Sequence, residues 1–108
     1  MRYEIREIRE EGKKRKKKKA IFDINGNMIT PEWFDNVRES GLVRGESDYY
    51  IAVKDKKRAI FDVDGKMVSP EWFDDMLEDG LVRGESSCYV AKKNGKWVIF
   101  HKDGHQIS

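Results

Sequence analysis

Residues 20–47 read AIFDINGNMITPEWFDNVRESGLVRGES, and residues 59–86 read AIFDVDGKMVSPEWFDDMLEDGLVRGES. Aligned without a gap at a period of 39, they agree at 19 of 28 positions. Such agreement marks an internal duplication, and a duplication constrains the fold before any single motif does. The match continues through DYYIAVK and SCYVAKK, and VIFHKDGHQIS at residues 98–108 supplies a third, partial copy. The organisation that follows is a basic N-terminal strand or arm, 1–19, and a single repeat domain, 20–108, with units of about 20–58, 59–97 and a partial 98–108.

Within a unit, YYIAVK at 49–54 alternates in polarity, RAIFDV follows a short turn, and Asp64-Gly65 leads into KMVS. Alternation of period two, interrupted by residues that accept positive φ, predicts consecutive antiparallel strands. Asn94-Gly95 and Asp103-Gly104 punctuate the last copy in the same way. Between KMVS and LVRGES the spacing predicts a helix of ten residues. Ser69 or Thr30 is its N-cap, Pro70 or Pro31 its first position, and Gly80 or Gly41 its stop. Trp72, Phe73, Met76 and Leu77 would share its buried face, whereas Arg38 stands at the Leu77 position of the first copy and leaves that helix more solvated. The expected class is α+β and β-dominated: tandem antiparallel β-meander repeats of period 39, each followed by a short helix. Edge strands at both ends, or the Trp-Phe helices, would suit a homodimer.

Composition narrows the function classes. The chain is 38% apolar and 39% charged, with five Phe, four Tyr and three Trp to build a core. No apolar run is long enough for a membrane span and no leader-like stretch opens the chain, so a cytoplasmic location is expected. Cys88 is the only cysteine, which excludes an internal disulfide and a four-thiolate zinc site and suits a buried strand position. A single Gln and abundant Lys and Glu resemble the composition of hyperthermophile proteins. The net charge of +2 conceals a split: residues 1–19 carry +6 and residues 20–108 carry −4.

Two resemblances bear on activity. AIFDVDG at 59–65 resembles the nucleophile loop of haloacid dehalogenase-like phosphatases, which would make Asp62 the nucleophile and Asp64 the acid and base, with Asp74 and Asp75 as the acidic pair. Lys66 stands where that family has Thr, Asn25 replaces the acid in the first copy and His101 the nucleophile in the third. A carboxylate nucleophile also needs a protonating partner and a cation at the phosphoryl group. The phosphatase is therefore a remote alternative. KNGKWVIFHKDG at 93–104, with SPEWFDD and GLVRGES, resembles the WG (KWG) repeat, with Val98 in place of the Gly after Trp97. That resemblance implies a non-enzymatic β-rich interaction scaffold with no catalytic residues and no cofactor. The aspartates would then shape turns.

The remaining candidates are binding surfaces. Lys13, Lys14, Arg15, Lys16, Lys17, Lys18 and Lys19 form an unbroken cationic run suited to a phosphate backbone, expected as a mobile segment or an enlarged hairpin loop. Sequence-nonspecific nucleic-acid binding through residues 13–19 is the alternative function. The leading reading is an interaction or scaffold module with a protein partner. Upstream, YEIREI fills the vacancy that YYIAVK fills in the next unit and is expected to be a strand. Arg44, Glu46, Arg83 and Glu85 in the repeated LVRGES are candidates for a duplicated partner interface. His101 and His105 straddle a turn, and no metal site is expected.

Overall fold

The computed structural model describes residues 2–10 and 16–108. Eight strands and no helix occur among them: β1 (Tyr3–Glu10), β2 (Lys16–Asp23), β3 (Asn36–Val37), β4 (Tyr49–Lys54), β5 (Lys57–Asp62), β6 (Asp75–Met76), β7 (Cys88–Lys93) and β8 (Lys96–His101). They form three antiparallel sheets, β1-β2, β3-β4-β5 and β6-β7-β8, in a flat body of 42 × 33 × 17 Å. The β-rich class and the meanders are as expected, and YEIREI is a strand, with Ile5 opposite Ile21. Residues 16–19 are not loop: they are the first half of β2, with Lys19 opposite Glu7 and Lys17 opposite Arg9. Lys13, Lys14 and Arg15 lie outside the described residues.

The hairpins follow their turn chemistry. Asn94 and Gly95, at φ 50° and 79°, join β7 to β8, and Asp55 and Lys56, at φ 51° and 65°, join β4 to β5. Consecutive positive φ values produce the reversed twist that matches a strand pair. Each second strand then turns again over four residues. The Asp23 carbonyl accepts the Gly26 amide at 3.1 Å and the Asp62 carbonyl that of Gly65 at 3.0 Å, closing bridges from Phe22 to Met28 and from Phe61 to Met67.

The expected helices are absent because their backbone groups are engaged elsewhere. The Phe73 amide donates to the Arg58 carbonyl at 2.7 Å and its carbonyl accepts the Arg58 amide at 2.8 Å; Phe34 and Lys19 exchange the same pair at 2.9 and 2.8 Å. Two residues on, β3 pairs with β4 and β6 pairs with β7. Each linker thus attaches to the last strand of its own unit and then becomes an edge strand of the next. Ser69 caps no helix: its Oγ accepts the Ile60 amide at 3.2 Å. A ten-residue helix has little intrinsic stability, and burial decides against it. In a helix, Trp72 and Phe73 would share one face. In the extended chain they point opposite ways, Trp72 toward a core of Phe34, Tyr50 and Phe61, and Phe73 into a second with Met76, Tyr89 and Phe100. Each such ring contributes about 2–3 kcal/mol when buried. Leu77 is exposed, against expectation, and Cys88 is half-buried in β7.

Gly41 and Gly80 terminate no helix but open the LVRGES turns. At Gly41, φ is +89°, and a Cβ there would overlap the Tyr49 carbonyl oxygen and crowd Val82. Gly41→Ala is expected to cost at least about 3 kcal/mol in urea unfolding, from strain plus overpacking. Gly26→Ala, with φ +82° and open space around the added methyl, should cost only about 1 kcal/mol.

Candidate functional site

The loop that resembles a nucleophile site is occupied by its own backbone. Asp62 Oδ1 accepts the amides of Asp64 at 2.9 Å and Lys66 at 3.0 Å. Asp23 Oδ1 accepts those of Asn25 and Asn27 at 2.9 and 2.8 Å, and the Asn27 amide foremost holds the Asp23 carboxyl below its ordinary range. In the third turn, His101 Nδ1 stands in for the carboxylate oxygen and accepts the Asp103 amide at 3.2 Å. The position thus accepts the amide two residues on in all three copies, while the amide four residues on goes to the same oxygen in the first two and to Asp103 Oδ1 in the third. Asp74, placed with Asp75 as an acidic pair by the phosphatase resemblance, is 2.5 Å from Lys57 Nζ, which holds its carboxyl below the ordinary range; Asp75 lies 3.6 Å from Arg58.

His101, Asp103 and His105 converge further. Their rings stack at 5.2 Å, and Asp103 Oδ1 lies 3.2 Å from His101 Nδ1 and 2.6 Å from His105 Nδ1. The His105 amide and ring foremost hold the Asp103 carboxyl below its usual range. Two imidazoles and a carboxylate form a donor set that zinc, nickel or copper accepts. Here the three groups serve an exposed turn.

The cationic strand is partly neutralised. Lys18 Nζ lies 2.6 Å from Asp35 Oδ1, and the Lys19 backbone is committed to Phe34. Lys16 and Lys17 are exposed and line an open cleft of about 470 Å³ with Asp35, Asp55 and Lys56, a surface of mixed sign. In the LVRGES turns the carboxylates close their own turns. Glu46 Oε1 accepts the Gly41 amide at 3.0 Å and Glu85 Oε1 the Gly80 amide at 3.1 Å. Arg44 reaches Glu39 at 3.7 Å. Arg44 and Arg83 line a second open cleft, about 460 Å³, with Arg38, Glu39 and Glu78. Of the four candidate interface residues, the structure brings the two arginines together and assigns the two glutamates to their own turns.

Sequence reasoning overlooked the two outer faces of the array. At the N-terminal end, Glu4 and Arg6 occupy the register of Tyr50 and Ala52, which are buried in the next unit. They pair at 2.6 Å, and the Arg6 guanidinium lies 4.4 Å over the Phe22 ring. At the C-terminal end, Ile99 occupies the register of Ile21 and Ile60, each 0% exposed, yet is itself 38% exposed. Trp97, 47% exposed, and Ile107, 52% exposed, lie beside it. Alignment of the three copies carries this signal: Trp97 replaces Lys19 and Arg58.

Set against protein-family models, curated proteins and solved structures, the chain has no match. Among the described residues no helix is long and apolar enough to cross a membrane.

Two outcomes follow from these contacts. Asp62→Ala should destabilise the chain by about 1 kcal/mol in urea unfolding, whereas Asp62→Asn, which keeps an acceptor at Oδ1, should cost less. Lys18 foremost, then the Asp55 amide, depresses the Asp35 carboxyl below its ordinary 3.8. A depressed carboxylate stabilises above the unfolded value and loses that contribution as pH falls through the folded one. Thermal unfolding followed against pH should therefore show an acid loss below 3.8 that is shallower in Asp35→Asn.

Proposed function

We propose that this chain is a non-enzymatic interaction module, a short array of β-rich units resembling WG repeats that acts as a scaffold in the cytoplasm. The observation that carries this reading is the fate of Asp62: the oxygen a nucleophile would have to offer accepts two backbone amides, as does that of Asp23, while in the third copy His101 accepts one amide of its turn. A carboxylate held so is a turn element. The neighbouring acids, Asp74 and Asp75, are engaged by Lys57 and Arg58. What the described residues offer outward is surface, including the two open clefts already described, a cationic strand and the two end faces.

The test is hydrolysis of p-nitrophenyl phosphate with magnesium. No turnover above background is expected, and activity abolished by Asp62→Asn would overturn the reading. Labelled duplex and single-stranded oligonucleotides titrated at two salt concentrations decide the electrostatic alternative. Weak or absent binding is expected, because Lys18 is already paired and Lys16 and Lys17 share their cleft with two aspartates. Binding that falls steeply with salt and disappears on deletion of residues 13–19 would establish nucleic acid as the partner.

A further inference from the structure

We infer that His101, Asp103 and His105 form a binding site for one divalent transition-metal ion, zinc in the first place, on the turn that closes the third copy. The inference goes beyond the interaction-module reading and does not depend on it.

The chain contains two histidines, and both are here. Four residues apart, they would face one another on a helix; with a turn between them, the spacing alone predicts no site. The turn itself brings them together. The His101 amide donates to the His105 carbonyl and the His101 carbonyl accepts the Gly104 amide, each at 2.9 Å. The chain therefore doubles back, the two rings stack at 5.2 Å, and one ligand atom from each of His101, Asp103 and His105 lies within 4.8 Å of the other two.

The distances suit a small ion. Two ligands that each stand about 2.1 Å from a tetrahedral ion are about 3.4 Å apart. Asp103 Oδ1 is already 3.2 Å from His101 Nδ1, and its 2.6 Å contact with His105 Nδ1 must open by about 0.8 Å as the ion replaces the hydrogen between them. His101 Nδ1 gives up only the Asp103 amide, a long hydrogen bond at 3.2 Å. Neutral imidazole nitrogens and a carboxylate suit zinc, which takes three protein ligands and leaves a fourth position to water.

Comparison of the copies shows that folding the turn requires neither histidine. The same three positions are Asp23, Asn25 and Asn27 in the first copy and Asp62, Asp64 and Lys66 in the second. In each copy the first position accepts the amide two residues on, and its own amide donates to the carbonyl four residues on at 2.9 Å. The third copy alone combines this backbone with two imidazoles and a carboxylate; in the second, Lys66 would set an ammonium beside the ion. Access is a property of the turn as well. Asn25 and Asn27, and Asp64 and Lys66, are exposed in units that further units follow, just as Asp103 and His105 are exposed.

Isothermal titration calorimetry of the full chain with zinc chloride tests this. One ion per chain is expected, with a dissociation constant of about 10 μM, undisturbed by an about 100-fold excess of magnesium, which prefers all-oxygen sites. His101→Asp and His105→Asn, which restore the residues of the first copy, should each weaken binding by at least about 30-fold. Their urea unfolding midpoints without zinc should stay near that of the unmodified chain, which separates loss of a ligand from loss of the fold. Conversely, Asp62→His combined with Lys66→His, beside Asp64, should give the second turn the same donor set and bind a second ion. No saturable binding below about 1 mM zinc, binding indifferent to both single substitutions, displacement of zinc by magnesium, or a double variant that takes up no second ion would each overturn the inference.

Discussion

The structure depends on two pairs of backbone hydrogen bonds, Phe34 with Lys19 and Phe73 with Arg58. A three-stranded or two-stranded meander of this length has little interior of its own. By fastening each linker to the strand it has just left, these bonds aim the next residues at the following hairpin, where β3 and β6 complete the sheets. The Phe side chain that makes the bridge is buried in the following unit. Hydrogen bonding to one unit and burial in the next thus reside in the same residue. Salt links repeat around each joint, from Lys18 to Asp35 and from Lys57 to Asp74, while Lys54 meets Glu32 and Lys93 meets Glu71 across 22 positions. Of these, Lys18–Asp35 is half-buried, and the three exposed pairs contribute little to stability. Their regular recurrence fixes register rather than adding strength.

Much of this was legible in the residues. The duplication at period 39, the hairpins around Asn94-Gly95 and Asp62 to Gly65, and the strand at YEIREI could all be read from short-range chemistry or from comparison of the copies. The helix could not be excluded in that way. Ser-Pro-Glu, a spaced Trp-Phe pair and a closing Gly are helix signals individually, and each has a second meaning in an extended linker. Pro fits a turn as readily as a first helical turn. Ser69 serves a strand amide, and Gly41 exists for a close approach to Tyr49. What separates the alternatives is that Trp72 and Phe73 belong to different cores, a fact about residues some thirty positions away that no local window contains.

The candidate surfaces divide in the same manner. The role of Asp62 was readable, since a position that is Asp, Asp and His in three copies is conserved in geometry rather than in chemistry. That Glu46 and Glu85 close their own turns was not readable, because a salt-bridging surface and a turn closed by a carboxylate have the same sequence. The unlike character of the two ends was available to inspection only once the strands had been placed in register, which sets Glu4 beside Tyr50 and Ile99 beside Ile60.

The division of Trp72 and Phe73 between two cores also bears on how the chain unfolds. Repeat arrays are quasi-one-dimensional, and their units can in principle open one at a time from either end. Here, neighbouring residues are anchored in different seams, Trp72 between the first and second sheets and Phe73 between the second and third. Lifting the first hairpin away uncovers Trp72 and lifting the third uncovers Phe73, so opening at either end forfeits the burial of an aromatic ring. Local opening events should then be confined to the turns, and the two seams should lose amide protection together with the whole molecule. Duplicated units joined in this way should unfold together rather than one by one.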